Sequence, residues 1–162
     1  MAGKTVLIIE DNLLNLELAT DLLEANGFSV LQAQNAEVGL RLAREAMPDL
    51  ILMDLSLPGM DGLQATKALK SDPATRHLIV IALTAHAMKG DQEIALSANC
   101  DGYLTKPIDT RIFVDTIDQV LDHALRDRDE EAQEAEEGGP HPKHRNQRAV
   151  EAAPPRTRRA LN

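Results

Sequence analysis

The chain has 162 residues, enough for one domain and an appendage, and 43% of them are apolar. One Tyr, two Phe and no Trp leave no row of stacking platforms for single-stranded nucleic acid, and a net charge of −9 argues against a dedicated partner for nucleic acid or an anionic membrane. The lone cysteine, Cys100, excludes an intramolecular disulfide and a Cys-cluster zinc site; with no signal-peptide pattern and no apolar run of membrane length, the chain reads as soluble and cytoplasmic.

Short apolar runs alternate with helical patterns, the signature of βα units feeding a parallel sheet. The first strand is expected over Thr5–Ile9 and the first helix over about Leu13–Asn26, with Leu18, Ala19, Leu22 and Leu23 as its inner face and Gly27 as its left-handed stop. A second strand over Ser29–Ala33 leads to a helix capped by Asn35, with Glu37 in its first turn and Pro48 at its close. The third strand, Leu50–Met53, is apolar throughout, as a strand covered on both faces should be. A third helix follows over about Leu63–Lys70, ended by Asp72-Pro73, and then a fourth strand over Ile79–Leu83. The fourth helix is expected over about Lys89–Ala98, with Asn99 as a left-handed cap and Cys100 a small buried residue before the fifth strand, Gly102–Thr105. Asp109 caps a fifth helix whose Phe113, Ile117, Val120, Leu121 and Ala124 form an apolar stripe. The fold class is therefore α/β, a flavodoxin-like (βα)5 domain over 1–126 with a five-stranded parallel sheet of order 2-1-3-4-5 and helices on both faces.

Beyond Asp127 the pattern fails. An acidic run, Asp129–Glu137, precedes a Gly/Pro-containing basic segment whose only large aliphatic residues are Val150 and Leu161. Such a stretch cannot bury enough apolar area to offset chain entropy, so residues 127–162 read as a disordered, solvated tail, the alternative being a weak basic tether for an acidic partner or nucleic acid; the acidic run has room to extend the fifth helix by a turn or two.

Four polar clusters stand directly after strand-like runs: Glu10-Asp11, Asp54, Thr84 and Lys106-Pro107. Right-handed crossovers bring the loops after parallel strands to one edge, and ligands bind there where the strand order reverses. Glu10, Asp11 and Asp54 then converge. At about 4 Å and an effective dielectric near 20, each like pair costs roughly 4 kcal/mol, so a proton or a cation must relieve it. An all-oxygen site suits a hard divalent ion, Mg²⁺ first and Mn²⁺ second. One ammonium, Lys106, and one divalent ion balance three carboxylates, so an incoming phosphoryl dianion is not repelled. Asp54 is central and is the expected nucleophile, forming an acyl phosphate. Lys106 stabilises charge on the transferring group, Thr84 offers it a hydroxyl, and Pro107, expected after a cis bond, aims Lys106.

This ordered set resembles the receiver domain of two-component response regulators. The likeness covers about residues 4–125 and rests on Val6–Asn12, Pro48–Gly62, Ala82–Gly90 and Cys100–Ile108. Asp21–Ala25 and Ala87–Asp91 carry a closer likeness to a single-domain regulator of cell division. The resemblance implies that Asp54 receives phosphate from a histidine kinase or a histidine phosphotransfer protein. It implies that Asp11, Asp54 and the Ser56 carbonyl bind Mg²⁺, with Glu10 contributing through water. It also implies that Thr84 and Tyr103 form a switch pair, rearranging the face made by the fourth helix, fifth strand and fifth helix toward a downstream protein partner. Ser56 and His86, each two residues past a site residue, stand where side chains tune attack of water on the acyl phosphate. His77, His123, His141 and His144 read as surface residues, and Met60 and Met88 as packing residues.

The resulting expectation is a single-domain phosphorelay protein that catalyses only its own phosphorylation and dephosphorylation. A phosphoryl shuttle or sink is the nearest alternative. A haloacid-dehalogenase-like phosphatase also uses a strand-end Asp, a Thr, a Lys and Mg²⁺, but needs a second Asp where this chain has Ser56. Nucleotide binding lacks a Gly-rich loop after the first strand, and nothing after the fifth helix reads as a DNA-binding domain.

Overall fold

The computed structural model describes residues 3–85, 93 and 98–137. Their elements are β1 (Thr5–Ile9), α1 (Leu13–Ala25), β2 (Ser29–Ala33), α2 (Ala36–Ala46), β3 (Leu50–Asp54), α3 (Gly62–Ser71), β4 (Ile79–Thr84), β5 (Gly102–Thr105) and α4 (Phe113–Glu137), the last being the helix expected as the fifth. The fourth expected helix, apart from Glu93 and Ala98, lies outside the described residues, as do His86, Met88, His141, His144 and residues 138–162.

The five strands are parallel in the order β2-β1-β3-β4-β5. The central strands β3 and β4 are buried at every position, which explains their unbroken apolar runs. Alternate residues still face opposite ways. Leu7, Ile9, Ile51, Met53, Val80 and Ala82 pack toward α2 and α3. Val6, Ile8, Leu50, Leu52, Ile81 and Leu83 pack toward α1 and α4. Both faces of the central strands are thus covered, which leaves their ends for chemistry.

The helix boundaries follow local signals. Asn35 Oδ1 accepts from Val38 N at 2.9 Å at the start of α2, and Asp61 and Gln64 form a capping box on α3. Gly27, at φ 90°, and Asn99, at φ 65°, hold the left-handed conformations expected of them. At the end of α2 the left-handed residue is Met47, at φ 47°, one before Pro48.

Two features of the helices differ from expectation. The inner face of α1 is Leu16, Ala19 and Leu23, at i, i+3 and i+7, whereas Leu18 is exposed. The sequence offers more leucines than one face can bury, and docking against β1 and β2 chooses among them. The C-terminal helix continues to Glu137, through the boundary expected at residue 126 and past the one or two extra turns allowed. It is anchored there by Arg128, whose guanidinium donates to the His77 carbonyl. At its other end, Asp109 caps the turn that precedes the helix, its carboxylate accepting from Arg111 N at 3.0 Å and its carbonyl from Phe113 N at 3.0 Å. None of the described helices is long and apolar enough to cross a membrane.

Candidate functional site

The sheet register sets the site. Ile9 pairs with Met53, so the next residues, Glu10 and Asp54, leave neighbouring strands side by side. Asp54 pairs with Leu83 and Thr84 with Thr105, which brings Lys106 to the same edge. Backbone bonds hold these ends in place: Glu10 N to Ala33 O at 3.0 Å, Leu55 N to Leu83 O at 3.0 Å and Lys106 N to Thr84 O at 2.8 Å. The Lys106-Pro107 peptide is cis.

Carboxylate oxygens of Glu10, Asp11 and Asp54 all lie within 4.8 Å of one another. Glu10 and Asp54 are each 1% exposed, and Asp11 stands at the open side. Lys106 Nζ reaches both buried carboxylates, 2.9 Å from Glu10 Oε1 and 2.9 Å from Asp54 Oδ2. Asp54 Oδ1 accepts from Ser56 N at 2.9 Å, and Glu10 Oε2 accepts from Asn12 N at 3.1 Å. An acidic, all-oxygen set with one open side fits a hard divalent cation.

The two buried carboxyls are driven apart in acidity. Burial is the largest influence on Glu10 and, with the neighbouring Asp54, raises it from 4.5 to about 7 against the pull of Lys106. Burial also pushes Asp54 up, but hydrogen bonds from Glu10, from Ser56 N–H and from Lys106 outweigh it and hold Asp54 below its ordinary value. Burial works against the Lys106 ammonium, and its two carboxylate partners more than offset that. Asp54 therefore stays ionised while Glu10 retains a proton longest.

The remaining expected residues are placed as follows. Thr84 and Tyr103 are buried on the adjacent strands β4 and β5, and Tyr103 belongs to the α2–α3 core. The Ser56 side chain is exposed, His77 and His123 lie on the surface, and Met60 packs against the core. Sequence reading assigned Glu10 a role through water toward a cation; the structure adds a direct ion pair with Lys106. It also brings in Gly62, which the sequence marks only as the end of the Pro48–Gly62 stretch and which the structure places at the start of α3 against the Asp54 backbone. A cleft of about 230 Å³ lined by Lys70, Arg76, Asp101 and Arg128 lies at the opposite edge of the sheet and shares no residue with this site.

The family model for the response regulator receiver domain matches residues 6–118. This chain belongs to that family. Among curated relatives, the polar-differentiation response regulator DivK of Brucella anthropi is 49% identical over 121 residues, 75% of this chain and 98% of that protein. DivK of Brucella abortus is 48% identical over the same shares. Among solved structures, the receiver domain of the sensor histidine kinase PA1611 from Pseudomonas aeruginosa is 32% identical with a TM-score of 0.68, covering 74% of this chain and 98% of that one. That structure has a magnesium ion coordinated in its active-site cleft. A response regulator from Chloroflexus aurantiacus is 28% identical with a TM-score of 0.70, covering 73% and 97%. The receiver fold and its acidic strand-end cluster thus coincide with the expectation from sequence.

Proposed function

We propose that this receiver takes a phosphoryl group onto Asp54 from a phosphohistidine on a histidine kinase or phosphotransfer protein, and holds it as a signal. The observation that carries this reading is the Lys106 ammonium, 2.9 Å from the ionised Asp54 within a three-carboxylate cluster at the strand ends. Asp54, kept ionised, attacks the phosphorus; the P–N bond breaks and the imidazole leaves with its electron pair. Lys106 follows the charge onto the phosphoryl oxygens, and the Thr84 hydroxyl donates to one of them.

Asp11, Asp54 and the Ser56 carbonyl would hold Mg²⁺ directly and Glu10 through water; Mn²⁺ meets the same oxygen donors. When bound, the cation supplies positive charge that neutralises the transferring group. Ser56 and His86 tune hydrolysis, so the chain catalyses only its own phosphorylation and dephosphorylation. The Thr84–Tyr103 pair reads the new charge and alters the face of β5, α4 and the segment before β5, where a downstream protein binds. The relatives' printed role in polar differentiation supports a place in cell-division control, in the cytoplasm where such kinases deliver phosphate. The receiver unit covers the family match over residues 6–118 together with the helix that continues to Glu137, and the charged segment beyond is an appendage.

The test is phosphotransfer from the host's histidine kinases to the full chain and to Asp54→Asn. The wild type is labelled and the variant is not; a variant that accepts phosphate at the wild-type rate refutes the assignment.

A further inference from the structure

The start of α3 lies against the phosphoacceptor strand with no room for a side chain. Gly62 is the first residue of α3, buried and fixed from several sides. Asp61 Oδ1 accepts from Gln64 N at 2.8 Å, Gln64 Oε1 accepts from Asp61 N at 3.3 Å, and Thr66 Oγ1 donates to the Gly62 carbonyl at 2.8 Å. A Cβ built on Gly62 would stand 2.0 Å from the Asp54 carbonyl oxygen, 2.7 Å from its carbonyl carbon and 2.9 Å from Leu55 Cα. All three are backbone atoms, so no rotamer relieves the overlap. Nor can the strand retreat freely, because Leu55 N is bonded to Leu83 O at 3.0 Å. The contrast is Gly39, where an added Cβ meets the flexible end of Ile9, 2.4 Å away, and the cost would be repacking.

Gly62 is not required for a left-handed backbone, since its φ lies outside the positive range. Alanine would be the better helix former there. The need is for space, and the space adjoins the peptide that carries Asp54 and leads to Ser56, whose N–H orients the Asp54 carboxylate. We propose that Gly62 is a positioning residue for the phosphoacceptor: by lacking a Cβ it lets the first turn of α3 clamp the Asp54–Ser56 backbone in the geometry that presents the Asp54 carboxylate and the Ser56 carbonyl together. The inference rests on the roles given above to Asp54 and Ser56.

The experiment compares wild type, Gly62→Ala and Ala65→Gly, the last weakening the same helix without adding a side chain. All are measured in buffer with trimethylamine N-oxide, which favours the folded state. Mg²⁺ affinity is read by calorimetric titration, phosphate uptake from phosphoramidate, and the amide spectrum of residues 54–56 by NMR. Gly62→Ala is expected to bind Mg²⁺ roughly 10–100-fold more weakly, the range for groups that orient metal ligands, to take up phosphate more slowly and to shift the 54–56 amides. Ala65→Gly is expected to match wild type in affinity. Wild-type affinity in Gly62→Ala, or equal losses in both variants, overturns the proposal. Should wild type itself bind no Mg²⁺, the metal-site reading fails; the 54–56 amide shifts then decide the positioning role alone, and unmoved shifts overturn it.

Discussion

At the scale of single residues, Glu10, Asp54 and Lys106 act as one unit in which burial and pairing compete. Folding raises Glu10 from 4.5 to about 7, so between those values the folded chain binds more protons than the unfolded one. Stability contributed by Glu10 is therefore present below about 4.5 and falls as pH rises toward 7. Asp54 has the opposite sign: its depressed value adds stability above its ordinary 3.8, lost only as pH drops through the folded value. Metal-free Glu10→Gln should accordingly gain stability relative to wild type at pH 8 and lose that advantage by pH 5. Urea unfolding in EDTA at the two pH values measures this, and a larger gain at pH 5 would contradict the assignment. Lys106→Ala should retain Mg²⁺ binding through the carboxylates while blocking the response of the β5–α4 face to phosphorylation. Amide shifts in that face, compared with and without phosphodonor, provide the check; an unchanged response counts against the role of Lys106.

At the scale of elements, the edge opposite the site is tied by a second ion pair. Lys70 Nζ, in the last turn of α3, lies 2.9 Å from Asp101 Oδ2 and donates to Leu78 O at 2.8 Å. The same Asp101 oxygen accepts from Val80 N at 2.8 Å, and both side chains are only 11% exposed. This joins α3 to the entrances of β4 and β5. Deleting one partner leaves the other charge buried, so Asp101→Ala should cost about 3–5 kcal/mol. Asp101→Asn, which keeps an acceptor for Val80 N, should cost less. Chemical denaturation ranks the two variants, and equal stability would remove the pair from the account. In β3, Leu52 is fully buried in the core between the sheet, α1 and α4, and Leu52→Ala should cost about 2–5 kcal/mol by the same measurement. The α1 helix shows how elements choose among residues. Leu13 and Leu14 are 56% and 78% exposed, and periodicity alone points to Leu18, Ala19, Leu22 and Leu23; docking against the sheet instead buries Leu16, Ala19 and Leu23 most fully.

At the scale of the whole molecule, the strand order brings the ends of β1, β3 and β5 to one edge, where the Glu10, Asp11 and Asp54 carboxylates cluster beside Lys106. A ligand that binds only the folded state stabilises it, by about 2.7 kcal/mol at a concentration 100 times its dissociation constant. Mg²⁺ should therefore raise the unfolding temperature of wild type and leave that of Asp11→Asn nearly unchanged, as read by a thermal scan; a Mg²⁺ shift of equal size in both would move the site elsewhere. The sequence by itself determined the strands, the caps Asn35 and Asp109, the left-handed Gly27 and Asn99, and the polar residues at each strand end. These follow from short-range rules: apolar runs, turn chemistry and backbone dihedrals reside in a few neighbouring residues. Only the tertiary structure decided which leucines of α1 go inward, that Glu10 pairs directly with Lys106, that α4 continues to Glu137, and that Gly62 must lack a side chain beside Asp54. Those depend on contacts between elements distant along the chain, where a few tenths of an ångström between packed backbones determine what fits.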